Sequence, residues 1–143
     1  MYKFGETSKK RLDTCHIDLQ KICNEVIKYY DFSILEGERT LEQQQIYFKE
    51  GKSKLDGIIK KSKHQSSPSM AVDIAPYPID FKNEDKAKAR FYHLAGYIQM
   101  ASSLLYNKGE ISHKVRWGGD WDSDKDFKDQ SFDDLPHFEL KKI

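Results

Sequence analysis

No stretch of the 143-residue chain stays apolar over the roughly 18 residues that a membrane-spanning helix needs. The opening MYKFGETSKKRL also lacks the apolar segment of a secretory signal. The expectation is a protein made and kept in a cytoplasm, without stable membrane association. Cysteine is scarce: Cys15 and Cys23 fall on what reads as one helix, about 12 Å apart at ~1.5 Å per residue, which is beyond disulfide reach. Both are expected as reduced core thiols. Charge of one sign is lacking too, since 24 Lys and Arg meet 23 Asp and Glu for a net +1. That argues against a nucleic-acid binder, which would need a concentrated basic face. No internal repeat and no linker interrupts the chain, so one domain over residues 1–143 is expected. At this length a chain buries roughly two-thirds of its unfolded surface and needs no metal merely to fold.

What the sequence does have is periodicity. Leu12, Cys15, Leu19, Ile22, Val26 and Tyr30 recur at three-four spacing and predict one buried helical stripe, with Ser8 as its cap. DFSILEG at 31–37 reads as a short strand ending at a glycine. Thr40 with Gln43 has the form of a capping box, opening a helix that stops at Gly51. AVDIAPY reads as a second strand, which Pro76 and Pro78 prevent from continuing. Asn83 then caps a long helix whose stripe Phe91, Leu94, Ile98, Ala101 and Leu105 runs toward Asn107, with Gly109 beyond as a stop. VRWGGDW at 115–121 and HFEL at 137–140 complete the strands. The fold class expected is α+β, with helices packed on a small, mainly antiparallel sheet.

Within AVDIAPY the side chains alternate faces, so Asp73 shares its face with Ala71 and Ala75. A carboxylate among alanines wants a partner. His64 lies upstream, and DDLPHFEL at 133–140 supplies a second acid and histidine. There Pro136 forces Leu135 into an extended conformation and keeps Asp134 in a short non-helical segment just before His137. In HFEL, His137 and Glu139 should face one way while Phe138 and Leu140 enter the core. Together His64, Asp73 and His137 offer two imidazoles and a carboxylate, the donor set of a catalytic zinc site with one position left for water. Such chemistry needs a proton acceptor close by, and Asp134 is placed to be it. HExxH is absent, so the site is not built on a single helix in the thermolysin manner.

SKH at 62–64, AVD at 71–73 and DLPH at 134–137 together resemble the VanY-like zinc peptidases, the D-Ala-D-Ala carboxypeptidase and L-alanyl-D-glutamate peptidase family of peptidoglycan hydrolases. EGERT at 36–40 is similar to that family's arginine-bearing motif, and the ordered set spans nearly the whole chain. The resemblance implies a hedgehog/D-Ala-D-Ala peptidase-like fold, with His64, Asp73 and His137 as zinc ligands and Asp134 as general acid/base. It implies that Arg39 polarises the scissile carbonyl; the alternative for Arg39 is a salt bridge with Glu36 or Glu38. Ser62 would contact the substrate backbone. The implied substrate is the bacterial peptidoglycan stem peptide. Lacking a signal sequence and a separate wall-binding domain, the chain looks like a phage endolysin, a monomer accumulating in the host cytoplasm and reaching the wall through a separate membrane pore protein. The runner-up activity is cleavage of the D-Ala-D-Ala terminus; a catalytically silent wall-binding relative is the other class.

Two features depart from that pattern or stand outside it. The QSSPS insertion lengthens the loop between His64 and Asp73, a change a bulging loop absorbs while its ends stay fixed. WGGDWDSDKDFKDQ carries acids at 120, 122, 124 and 126, which raises the question of calcium. The EF-hand template fails, because Lys125 stands where it needs Gly and Ser131 where it needs Glu. The expectation is a solvated acidic loop.

Overall fold

The computed structural model describes residues 1–128 and 132–141. In chain order it contains α1 (Glu6–Asp13), α2 (Ile17–Val26), β1 (Phe32–Glu36), α3 (Leu41–Lys49), a 3-10 turn (Lys63–Gln65), β2 (Ala71–Pro76), α4 (Glu84–Asn107), β3 (Lys114–Trp117) and β4 (His137–Lys141). The strands form one sheet in the order β1-β2-β4-β3, with every pairing antiparallel. The α+β expectation holds.

The expected N-terminal helix is instead two. His16 leaves the helical region and caps α2, its ring Nδ1 accepting the Asp18 N–H at 3.0 Å. Thr14 and His16 exchange backbone hydrogen bonds with Ser69, both 2.9 Å, and Cys15 bridges Ser69. The inserted 65–69 loop therefore has a docking place, and it is the break between α1 and α2. Periodicity could not reveal the break, because Leu12, Cys15, Leu19, Ile22 and Val26 are all buried in the same core either way. Ser8 is no cap: it lies inside α1, capped at Gly5, and its hydroxyl accepts the Ile34 N–H at 3.0 Å. The thiols are free and buried, and burial pushes the Cys15 thiol up to about 12.

The other helices follow their signals. Thr40 and Gln43 form the full capping box of α3. The Asn83 side chain accepts the Lys86 N–H at 3.2 Å to start the 24-residue α4. Helix α4 lies against β2 and β3, and α2 packs on α4. Alternation along the strands then divides the sheet. Ile34, Val72, Ile74, Trp117, Phe138 and Leu140 join the helices in the core. On the opposite face, register places Glu36 beside Asp73 and Asp73 beside His137, and sets Ala71, Glu139 and Arg116 in the next row. The polar row across three strands is the floor of the site.

Candidate metal centre and active site

Each of the two histidines has one ring nitrogen committed. His64 Nδ1 lies 2.7 Å from the Gly37 carbonyl, which only accepts, so that nitrogen carries the hydrogen. His137 Nε2 likewise donates to Glu139 Oε1 at 2.9 Å. The other two nitrogens, His64 Nε2 and His137 Nδ1, face each other at 3.2 Å, and each is 3.1 Å from Asp73 Oδ1. With both rings neutral, three lone pairs converge on one point with no proton between them. A cation is what such a point accepts. Tetrahedral zinc with bonds of about 2.0–2.1 Å would space its ligands about 3.3–3.4 Å apart, within a few tenths of the observed triangle. The sequence-expected ligands are thus brought together and their donor set fits the metal.

Three local structures deliver these atoms. Ser62 caps the 3-10 turn, its hydroxyl accepting the His64 N–H at 3.2 Å while Gln65 Oε1 accepts the Ser62 N–H at 2.8 Å. The observed work of Ser62 is therefore to hold His64, although it also lines the cleft. Asp73 and His137 meet because β2 and β4 pair in that register. His137 follows a turn closed by its own N–H on the Asp134 carbonyl at 3.1 Å, and Pro136 anchors the turn by accepting the Ile74 N–H at 3.0 Å.

That turn is clamped from below by Gly118, whose carbonyl accepts the Asp134 N–H at 2.9 Å and whose N–H reaches the His137 carbonyl at 2.8 Å. A Cβ on Gly118 would lie 2.1 Å from the Asp134 carbonyl oxygen. Only glycine permits this approach. The Asp134 side chain lines a cleft of about 590 Å³ together with all three ligands. Burial and the nearby Asp73 carboxylate raise its pKa, while His137, His64 and Arg39 pull it partly back. Asp133 is exposed and lines a different depression with Lys88 and Tyr92.

Arg39 makes the salt bridge with Glu36 that was its alternative reading, and it lines the same cleft as the three candidate ligands. Its Nε donates to Glu36, Nη1 donates to Gln44 Oε1 at 2.6 Å, and Nη2 comes 3.9 Å from Asp73 Oδ2. Its guanidinium also lies 4.7 Å from the Tyr47 ring centre. Its backbone N–H binds the His64 carbonyl at 2.7 Å. The buried Gln44 amide binds Ser53 Oγ at 2.9 Å and the Leu55 carbonyl at 2.7 Å, so it joins Arg39 to the 50–60 loop.

Glu139 was read from the sequence as facing the same way as His137, without a role. It is buried, and burial alone would raise its pKa. The hydrogen bonds from His137 and Arg116 outweigh that and bring it to about 2. Held as an anion, Glu139 fixes which nitrogen of His137 is left for a metal. In the metal-free protein burial pulls the His137 pKa down, but Asp73 and Glu139 override it and hold it at about 9. The same histidines keep the Asp73 carboxyl well below the usual range against its own burial.

Two more clusters carry possible ligands. Asp120, Asp122 and Asp124 bring carboxylate oxygens together, and the solvated-loop expectation is wrong for Asp120, which is buried, its Oδ1 without a hydrogen-bond partner among the described residues. Its other oxygen accepts the Lys125 N–H at 3.1 Å, which curls the loop inward. His16, Asp18 and His113 form the second. There Asp18 Oδ2 accepts from Ser112 N–H, the Ser112 hydroxyl and His113, so the cluster ties α2 to the segment before β3.

A family model described as phage L-alanyl-D-glutamate peptidase matches residues 1–141. The chain belongs to that family. The L-alanyl-D-glutamate peptidase of Escherichia phage T5 is 32% identical over 131 residues, covering 90% of this chain and 88% of the relative. Among solved structures, the Serratia marcescens L-Ala D-Glu endopeptidase ChiX superposes with a TM-score of 0.67 at 23% identity, over 97% of this chain and 90% of that one. For this phage peptidase-family chain the fold expectation drawn from the ordered SKH, AVD and DLPH motifs is met. No helix among its described residues is long and apolar enough to cross a membrane.

Proposed function

We propose that the protein is a zinc-dependent peptidoglycan peptidase of the endolysin type, cutting the L-alanyl-D-glutamate bond of the stem peptide. The observation that carries this reading is the convergence of His64 Nε2, His137 Nδ1 and Asp73 Oδ1 in a cleft that Asp134 and Arg39 also line. Those three residues would hold zinc, which when bound supplies Lewis acidity and lowers the pKa of a water to about 7. Asp134 accepts the proton of the attacking water and returns it to the leaving amine, a task suited to a carboxyl whose pKa is raised. Arg39, fixed by Glu36 and Gln44, presents permanent positive charge where the carbonyl oxygen gains negative charge. Glu139 keeps the His137 ring from turning.

As a lysis enzyme the protein would act as a monomer, accumulate in the host cytoplasm and reach the wall when a separate pore protein opens the inner membrane. Mass spectrometry of purified peptidoglycan digested by the zinc-loaded protein tests the bond. New N-terminal D-Glu ends are expected. Loss of terminal D-Ala instead would make it a D-Ala-D-Ala carboxypeptidase, and new reducing sugar ends would make it a glycosidase.

A further inference from the structure

Most cations around the cleft are already matched to carboxylates. Arg39 pairs with Glu36 and approaches Asp73, Arg116 and Lys63 share Glu139, and Lys52 pairs with Glu50. Lys54 and Lys61 line the same cleft, are exposed, and have no ion pair among the described residues. Lys54 lies over the Phe132 ring, 5.0 Å from its centre.

Both lysines stand on anchored backbone. Lys54 lies between Ser53 and Leu55, the two residues that the buried Gln44 amide holds. Lys61 directly precedes Ser62, whose cap fixes His64. Their bases are therefore held in position relative to the metal centre, while their ammonium ends are free to meet an anion.

The substrate read above has one to offer. A glutamyl residue whose amine is in the scissile bond has two carboxyl groups, and only one of them continues the chain. The other is a free anion a few bonds from the breaking C–N bond. It must sit near the Asp134 carboxylate, which repels it, and the arginines there are already committed.

We propose that Lys54 and Lys61 form a carboxylate-binding subsite for the D-glutamyl residue, so that the enzyme prefers a free carboxylate there to a carboxamide. This inference rests on the L-alanyl-D-glutamate reading. Because both ammonium groups are solvated, each contributes modestly, and the preference weakens as salt rises.

The test compares kcat/KM for two short stem peptides that differ only in whether the D-glutamyl residue carries the free acid or its amide. Zinc-loaded wild type, Lys54→Met, Lys61→Met and the double variant are measured, with zinc content and melting temperature as controls. Wild type should favour the acid by about tenfold, each single variant should lose about threefold of that, and the double variant should treat the peptides alike, the loss falling mainly on KM. The rate on the amide peptide should fall less than the rate on the acid. Lys61→Glu should lower the acid preference further than Lys61→Met does. Equal wild-type rates on both peptides, or a preference that survives in the double variant, would overturn the subsite while leaving the cleaved bond established. Cleavage of neither peptide by fully zinc-loaded wild type would refute the bond assignment and the subsite with it.

Discussion

Replacing Glu139 by Gln changes one oxygen to an amide and leaves the fold's packing nearly intact, so it isolates what the buried anion does for His137. In the native protein Glu139 Oε1 takes the His137 Nε2 hydrogen at 2.9 Å, and its other oxygen is held by Arg116 at 2.7 Å and Lys63 at 3.3 Å. A neutral amide makes His137 a weaker donor to a metal, and partners of this kind carry about 10- to 100-fold in metal affinity or activity. That corresponds to about 1.4–2.7 kcal/mol at ~1.36 kcal/mol per tenfold. The cost should depend on pH. Metal-free His137, with a pKa of about 9, carries a proton at neutral pH that zinc must displace. Wild-type zinc affinity should therefore rise with pH and flatten above about 9. Glu139→Gln lowers the pKa of that competing proton as well as the metal affinity, so the two effects oppose each other at low pH. The variant's deficit should be smallest near pH 6 and greatest above the wild-type plateau. Competition with a chromophoric chelator across pH measures it. Zinc affinities that coincide at every pH would refute the orienting role of Glu139.

Asp134→Asn should lower turnover by roughly 100- to 10,000-fold with zinc still bound, while Asp133→Asn stays close to wild type; kinetics with metal analysis on both decides it. Gly118→Ala forces a carbon against the Asp134 carbonyl and should cost about 1–3 kcal/mol in denaturant titrations, with activity falling further than stability because the Asp134 turn moves. Removing the metal with a chelator should abolish activity, and added zinc should restore it. Metal-free protein should also lose thermal stability as pH rises from about 6.5 to about 9, since a histidine whose folded pKa is raised stabilises only while protonated. The zinc-loaded protein, whose His137 carries no such proton, should not show this decline.

The three candidate ligands were legible in the sequence because they sit in short motifs whose chemistry is local: a capped histidine, an acid inside an apolar strand, a histidine after a proline turn. The strand alternation of HFEL even placed Glu139 on the correct face. Its role was not legible, since it depends on Arg116 arriving opposite it from β3 and on the depth of burial. Gln44 and Gly118 were silent for the same reason. A glutamine on a helix reads as surface, and Gly118 was read inside the VRWGGDW strand, which in fact ends at Trp117; only the loop and the carbonyl they meet show what each does. The split of α1 from α2 was hidden because a helical stripe continues in phase across a short break.

The sheet order also bears on when activity appears. Strand β4 follows the other described strands in sequence yet lies between β2 and β3, which are not paired with each other. Until β4 inserts, β3 has no strand to join, and the centre lacks both His137 and Glu139. Under the proposed mechanism a ribosome-bound or truncated chain ending before residue 137 would be inert. Hydrolytic power would arrive in one late step, with the long-range pairing of β4 on β2, a kind of contact that is slow to close.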